Sequence, residues 1–216
     1  MKRIIVAAAL FAVMASAAMA NIQITEWMYS GYGGEFIEFT NMGSSPVDFT
    51  GWSYDDDSNT PGSEILSAFG IVGIGESVII TEDSASVFRT TWNLPASVKV
   101  IGGITNNIGR SDTINLYNSL NQLIDKLVYN DQAGKGPRTQ YKSCTVPVGD
   151  LGLIDASSAW VLASDGDIYG SWKSSKNDIG NPGYYYAAPA VPEPSSLAAL
   201  GCGIFGLAGI VRRRTK

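Results

Sequence analysis

The sequence predicts an all-β fold, an antiparallel β-sandwich, for residues 21–186. Short segments rich in β-branched and aromatic residues are separated by glycine-containing turns, a pattern typical of sandwiches. Only one helix is indicated, and there is no heptad pattern, internal repeat or second domain with its own periodicity. The chain has 216 residues, which is enough for one medium-sized domain with a real core.

The first strands follow from the alternation of side chains. "NIQITEWMY" predicts a strand with Ile22, Ile24 and Glu26 on one face and Trp27 on the other. The turn "GYGG" leads to the strand "EFIEFTN". "PVDFTGW" is predicted to be a short strand that ends at Trp52, which we expect in the core.

The later elements begin with the compact buried strand "ESVIIT". Ser84 is expected to cap the helix "ASVFRTTW", with Val87, Phe88 and Trp92 facing inward. "DTINLYN" and "QLIDKLVYN" predict a hairpin in which Asn121 takes the left-handed turn position that usually favours glycine. "SSAWVLA" predicts a late strand.

Residues 1–20 have the pattern of a secretory signal peptide. Lys2 and Arg3 precede a short apolar run, and the small residues at 18 and 20 predict cleavage between Ala20 and Asn21. A buried N-terminal helix is the alternative, but it does not explain why these three features occur together.

The C-terminal residues divide into three parts. Residues 187–194 form a linker rich in proline and alanine, and residues 195–211 carry no charge. As a helix, the uncharged part would be about 25 Å long, which makes a membrane span possible but marginal against a bilayer core of about 30 Å. The basic end, residues 212–216, is expected in the cytoplasm because of its three arginines, Arg212, Arg213 and Arg214.

Charge and cysteine content restrict the partners. Residues 21–190 hold nine Lys and Arg against nineteen Asp and Glu, a net charge of −10. Nucleic acid is therefore an improbable partner, whereas cations or neutral polymers suit the surface. Cys144 is the only cysteine outside the tail, so no disulfide can form within the domain. Its thiol is expected to be buried, or else available to a second chain.

The sequence contains no histidine, which excludes Ser-His-Asp and Cys-His nucleophiles and His-ligated metals, and we predict no catalytic residues. Glu35 and Glu38 resemble a carboxylate pair for glycoside hydrolysis, but residues three apart on a strand point to opposite faces. We interpret them as edge charges and hydrogen-bonding partners. A small secreted hydrolase that uses carboxylates is the alternative function.

A calcium site is a weak hypothesis for the loop "DDDSN". Asp55, Asp57 and Asn59 offer the oxygen ligands that Ca²⁺ prefers. The loop lacks the glycine and the final glutamate of an EF-hand, and "SDGD" further along is a weaker candidate. A solvated acidic turn explains both stretches without a metal or any other cofactor.

The tail resembles the PEP-CTERM sorting signal of Gram-negative bacteria. The matching parts are a Pro-Glu-Pro motif, an apolar helix and a basic end, and the motif residues are Val191, Pro192, Glu193 and Pro194. The resemblance implies recognition by an exosortase-type enzyme, transient anchoring in the inner membrane and delivery to the cell surface or extracellular matrix. A permanent single-span anchor is the alternative.

The body resembles lamin tail domains. The shared features are the strand Glu35-Phe36-Ile37-Glu38, the following Asn41 and the turn "DFTGW", with weaker matches in "GESVIITE", in the predicted hairpin and in "IGNPGYY". No counterpart is found for the stretch from "AGKGP" to "GLID". The resemblance implies an immunoglobulin-like sandwich and a non-enzymatic module for attachment. The expected ligands are extracellular polysaccharide, which only the PEP-CTERM resemblance implies, or other surface proteins.

Overall fold

A computed structural model describes residues 22–132, 136–152 and 160–186. This part of the chain contains fourteen strands, one α-helix and two 3-10 helices. The strands are β1 (Ile22–Met28), β2 (Phe36–Asn41), β3 (Val47–Asp48), β4 (Ser53–Asp55), β5 (Glu64–Ile65), β6 (Ile71–Val72), β7 (Ser77–Thr81), β8 (Lys99–Gly102), β9 (Ser111–Tyr117), β10 (Leu123–Asn130), β11 (Cys144–Thr145), β12 (Val161–Leu162), β13 (Trp172–Lys173) and β14 (Ile179–Gly180). The helix α1 spans Ala85–Trp92, and the 3-10 helices span Ser67–Phe69 and Val148–Asp150.

Two sheets make up most of the fold. The larger has six strands in the order β12-β11-β1-β2-β7-β8, and the smaller has four in the order β10-β9-β4-β5. Side chains of both sheets form one buried cluster, which includes Ile24, Phe39 and Ile80 from the first sheet and Tyr54 and Leu116 from the second. The body is thus mostly β-sheet in two layers around a shared core, as a β-sandwich requires.

The first strand differs from its predicted alternation. The pairing of β1 with β2 shifts register between Ile24 and Glu26. A bulge of this kind adds a residue to one strand and reverses the faces beyond it. Trp27 therefore joins Ile22 and Ile24 in the core, while Glu26 points to the other face of the sheet. The predicted faces of Glu26 and Trp27 were wrong for this reason.

The helix explains why the larger sheet is not purely antiparallel. Strands β7 and β8 pair in parallel, because residues 82–98, including α1, cross over between them. Ser84 caps the helix by accepting a hydrogen bond from Val87 N, as predicted. Phe88 and Trp92 are buried against Phe36 on the outer face of this sheet. Val87 is exposed rather than buried. Each residue turns the helix by about 100°, so Val87 lies away from the face that Phe88 and Trp92 share.

The hairpin of β9 and β10 forms as predicted, with Asn121 in the left-handed region at φ 59°. The predicted late strand is reduced to β12 within the described residues. In those residues, no helix has the length and apolar character needed to cross a membrane. The predicted signal peptide with its cleavage site, the linker, the helix at 195–211 and the basic end all lie outside them.

Candidate functional site

An open cleft lies between the end of β1 and the segments before β9 and after β10. Its volume is about 360 Å³, and it is lined by residues 29–30, 108–110, 138 and 140. The cleft is the meeting point of three segments that are far apart in the sequence, so only the folded chain creates it.

Two arginines converge on one buried carboxylate beside this cleft. The Nε and Nη2 atoms of Arg110 donate to Asp131 at 2.7 and 3.0 Å, and Tyr29 Oη donates at 2.9 Å. The Nε atom of Arg138 lies 3.8 Å from the same carboxylate. The Asp131 side chain is only 1% exposed, whereas those of Arg110 and Arg138 are 63% and 59% exposed. Solvent therefore meets two guanidinium groups, and Arg110, Arg138 and Asp131 together carry an excess of one positive charge.

The hydrogen bonds from Arg110 keep the pKa of Asp131 below its ordinary value, so this carboxyl is ionised at neutral pH. The interaction is reciprocal, and Asp131 raises the pKa of Arg110. Asp131 and Arg110 therefore both stay charged at neutral pH.

Two stacked tyrosines follow cleft residues in the sequence, with Tyr32 two positions after Ser30 and Tyr141 directly after Gln140. The rings of Tyr32 and Tyr141 lie 4.6 Å apart between centroids, with 19° between their planes, and the residues are 65% and 38% exposed. Ser30 and Gln140, which line the cleft, form a parallel bridge, and Tyr141 N donates to Ser30 O at 2.7 Å. The same backbone contact therefore positions both the cleft and the tyrosine pair.

Backbone contacts hold the two rings in place. The Asp178 carboxylate accepts hydrogen bonds from Tyr32 N at 3.0 Å and Gly33 N at 2.7 Å. Tyr141 has φ 61°, a left-handed conformation that costs on the order of 1–3 kcal/mol for a bulky residue. Tyr141 O also accepts from Ile179 N at 2.9 Å. An exposed aromatic surface is thus built at a cost in strain and is fixed from both sides.

A second group of polar residues is sealed inside the molecule. Glu26 and Glu38 lie directly opposite each other on β1 and β2, and both are fully buried. Burial raises the pKa of each carboxyl, and the neighbouring Glu38 raises that of Glu26 further. Burial therefore favours the protonated form of both carboxyl groups.

The C-terminal strap, residues 178–186, covers this carboxyl pair. Asn181 N donates to Glu26 Oε1 and Gly183 N donates to Glu38 Oε2, both at 2.7 Å. Gly180 lies so close that an added Cβ would be 2.8 Å from Glu26 Oε1. The strap covers this part of the outer face of the six-stranded sheet, and both carboxyl groups are shielded from solvent.

The loop predicted as a weak calcium site is an ordered turn. The buried Asp55 carboxylate accepts hydrogen bonds from Ser58 Oγ and from Thr60 N, the latter at 2.6 Å. The side-chain oxygen of Asn59 accepts a hydrogen bond from Lys126 Nζ at 3.1 Å. The side-chain nitrogen of Asn59 donates to the backbone oxygen of Asp57. Among the described residues, no three Asp, Glu, Cys or His side chains are grouped as metal ligands. Calcium binding stays a prediction.

Glu35 and Glu38 point to different parts of the fold, as expected from their spacing. Glu35 Oε1 accepts from Ile108 N at 2.9 Å, whereas Glu38 contacts the strap. Their interpretation as hydrogen-bonding partners is confirmed. Their interpretation as edge charges was wrong, because the loop before β9 and the strap bury both side chains.

Cys144 is fully buried in the core, and burial raises the pKa of its thiol, which is therefore protonated at neutral pH.

Sequence reasoning missed the main surface features. Tyr32 lies in "GYGG", which we interpreted only as a turn, although an aromatic residue among three glycines is a signal in itself. Tyr141, Arg110 and Arg138 gave no local signal, because their proximity depends on long-range pairing. The predicted sorting residues, Val191 to Pro194 and Arg212 to Arg214, lie outside the described residues.

Comparison with known families gives two matches. A model of the Lamin Tail Domain matches residues 15–131, more than half of the chain. A model of the PEP-CTERM protein-sorting motif matches residues 190–214. No curated protein matches the chain. The first match ends just after β10, so the two arginines of the cleft fall on either side of its boundary.

Proposed function

Because the chain belongs to the lamin tail domain family and carries a PEP-CTERM sorting motif, we propose that it is a non-catalytic attachment module of the outer cell surface or extracellular matrix. The sorting motif indicates an exported protein that exosortase recognises. The combination of this domain with this signal in one chain is the observation that carries the proposal.

The geometry of the described residues supports binding rather than catalysis. The paired carboxyl groups, Glu26 and Glu38, are covered by the strap. The accessible surface instead offers an open cleft and exposed stacked rings. Such features suit recognition of a ligand. The two-layered β-structure is compatible with the immunoglobulin-like sandwich implied by the family resemblance, although the parallel strand β8 adds to that plan.

The proposed route has three steps. The signal peptide directs export and is removed between Ala20 and Asn21. Residues 195–211 then hold the chain in the inner membrane, while Arg212 to Arg214 stay in the cytoplasm. Exosortase-type processing at residues 191–194 finally releases the domain to the surface.

The test replaces Pro192, Glu193 and Pro194 together with alanine in the native host. The wild type should appear outside the inner membrane, shortened at its C-terminus and beginning at Asn21. The variant should stay in the membrane at full length, because a recognised motif depends on the identity of its residues, whereas a spacer depends only on its reach. Pro189→Ala is the matched control and should be processed normally.

Equal release of the variant and the wild type would refute the sorting role. If neither protein is ever shortened, residues 195–211 are a permanent anchor, and the module works at the membrane surface. A mature protein that retains Met1 would contradict the proposed topology. Fractionation followed by terminal sequencing and intact mass measurement distinguishes these results.

A further inference from the structure

We propose that the cleft and the adjoining tyrosine pair bind an acidic polysaccharide, with a sugar carboxylate on Arg138 and Arg110 and a neighbouring sugar ring against Tyr32 and Tyr141. This inference rests on the proposed attachment function and names its ligand class.

The carboxylate is the part of the ligand that the arginines select. Arg110 uses Nε and Nη2 on Asp131, and Arg138 uses Nη2 on Gln140 Oε1. The Nε atom of Arg138, 3.8 Å from Asp131, is too far for a good hydrogen bond. Each guanidinium therefore keeps N–H donors for a ligand, as judged from the described residues. A carboxylate matches this planar donor geometry better than any neutral group.

The ring is the part that the tyrosines select. Tyr32 and Tyr141 offer a rigid, partly apolar surface whose side chains lose little entropy on binding. The hydrogen bonds to Asp178 and the strained backbone of Tyr141 fix this surface before a ligand arrives. A free carboxylic acid or an extended polyphosphate has no ring to place there.

The size of the cleft and the screening of the domain's negative charge both allow a short part of an acidic polysaccharide to bind. The cleft of about 360 Å³ is near the lower end of the range for ligand pockets, which suits one sugar unit. The domain is strongly acidic, but screening limits repulsion to about 8 Å at physiological salt. A uronic acid unit can thus occupy the cleft and its neighbour can lie against the tyrosine pair, while the rest of the polysaccharide chain remains in solvent.

The test is titration calorimetry of the full chain, purified in detergent, with trigalacturonate. Methyl-esterified trigalacturonate keeps the rings and removes the charge, and triglycine offers a carboxylate without a ring. We expect Arg138→Gln to weaken trigalacturonate binding about ten- to a hundredfold, and Arg138→Lys to restore only part of it. Tyr32→Ala, at an exposed position, should weaken it several-fold. Lys173→Gln removes the same charge at an exposed ion pair outside the cleft and should change nothing.

Each result decides the proposal. Tight binding of the acid, weak binding of the ester and of triglycine, and losses in both variants support it. No binding of trigalacturonate, or binding that Arg138→Gln leaves unchanged, overturns it. Equal binding of the ester would indicate a neutral sugar site and also overturns the assignment, as would equal binding of triglycine. Fractionation can still place the protein at the cell surface in these cases, so the attachment function is tested separately.

Discussion

Glu35 shows how one buried side chain affects the response of the molecule to pH. Burial raises its pKa to about 8, even though Ile108 N donates a hydrogen bond to the carboxylate. In the unfolded chain a glutamate titrates near 4.3. Between these values the native state binds more protons than the unfolded state, so stability decreases as pH rises through this interval. Asp125, with a pKa raised to about 6, contributes in the same direction.

We therefore expect the wild type to lose on the order of a few kcal/mol of unfolding free energy between pH 5 and pH 8. Glu35→Gln keeps an acceptor for Ile108 N but cannot ionise, so it should reduce this loss. Urea unfolding of the two proteins at several pH values measures the difference. The exposed Asp165→Asn serves as control, and a variant with the wild-type pH slope would contradict the assignment to Glu35.

The amount of detail that the sequence reveals differs from residue to residue. Asn121 was predictable because its left-handed turn depends on neighbours in the sequence. Glu26 was not, because the bulge that redirects it arises from pairing with β2. Tyr141 lies in a stretch without a recognisable pattern, and its strained conformation is imposed by Ser30 and Ile179, which are distant in the sequence.

Among the secondary structure elements, the crossover from β7 through α1 to β8 brings two stretches of backbone very close together. Gly102 ends β8 directly against the start of the helix. A Cβ on Gly102 would lie 2.2 Å from Ala85 N and 2.4 Å from Asp83 O, both of which are backbone atoms that cannot move aside cheaply. The absence of a side chain at Gly102 is what allows the helix to begin there.

Gly102→Ala should therefore destabilise the domain by about 1–3 kcal/mol or more, as overpacking does elsewhere. Gly149→Ala is a suitable control, because an added Cβ there meets nothing within 4 Å. Thermal unfolding of both variants provides the measurement. If Gly102→Ala melts at the wild-type temperature, the close contact between β8 and α1 is wrong.

The same crossover shows where prediction from the sequence ends. Local signals located the helix and its cap at Ser84, since both depend on residues within one turn. The parallel pairing of β8 leaves no such signal, because it depends on which strand lies nearby after the crossover. The two-layered fold was predictable because the pattern of short strands and turns is local. The cleft was not predictable, because it is assembled from three distant segments.

For the molecule as a whole, the strap sets the C-terminal boundary of the part that we expect to fold alone. We expect residues 21–186 to fold alone as a β-rich domain, without metal or disulfide. A fragment that stops at residue 177 should be markedly less stable, because Glu26 and Glu38 would lose the backbone donors of Asn181 and Gly183. Each of these lost hydrogen bonds contributes about 0.5–1.5 kcal/mol.

Circular dichroism and thermal melts of the two fragments test this boundary. Equal melting temperatures would show that the strap is dispensable. Dependence of the longer fragment on added Ca²⁺ would contradict folding without metal. A Ca²⁺-induced shift that disappears in Asp55→Asn combined with Asp57→Asn would assign a real metal site to that loop.

The strap also determines how the domain responds to mechanical load. It is the last described segment before the linker and sorting tail, so tension on a chain still held at its C-terminus reaches the strap first. Pulling from residue 186 would break the contact of Gly183 with Glu38 before that of Asn181 with Glu26, one bond at a time. Because both bonds lie on the outer face of the larger sheet, they can yield while the core between the sheets remains closed. The end of the strap would then extend under drag, and the load would be absorbed there before it reaches the core of the sandwich.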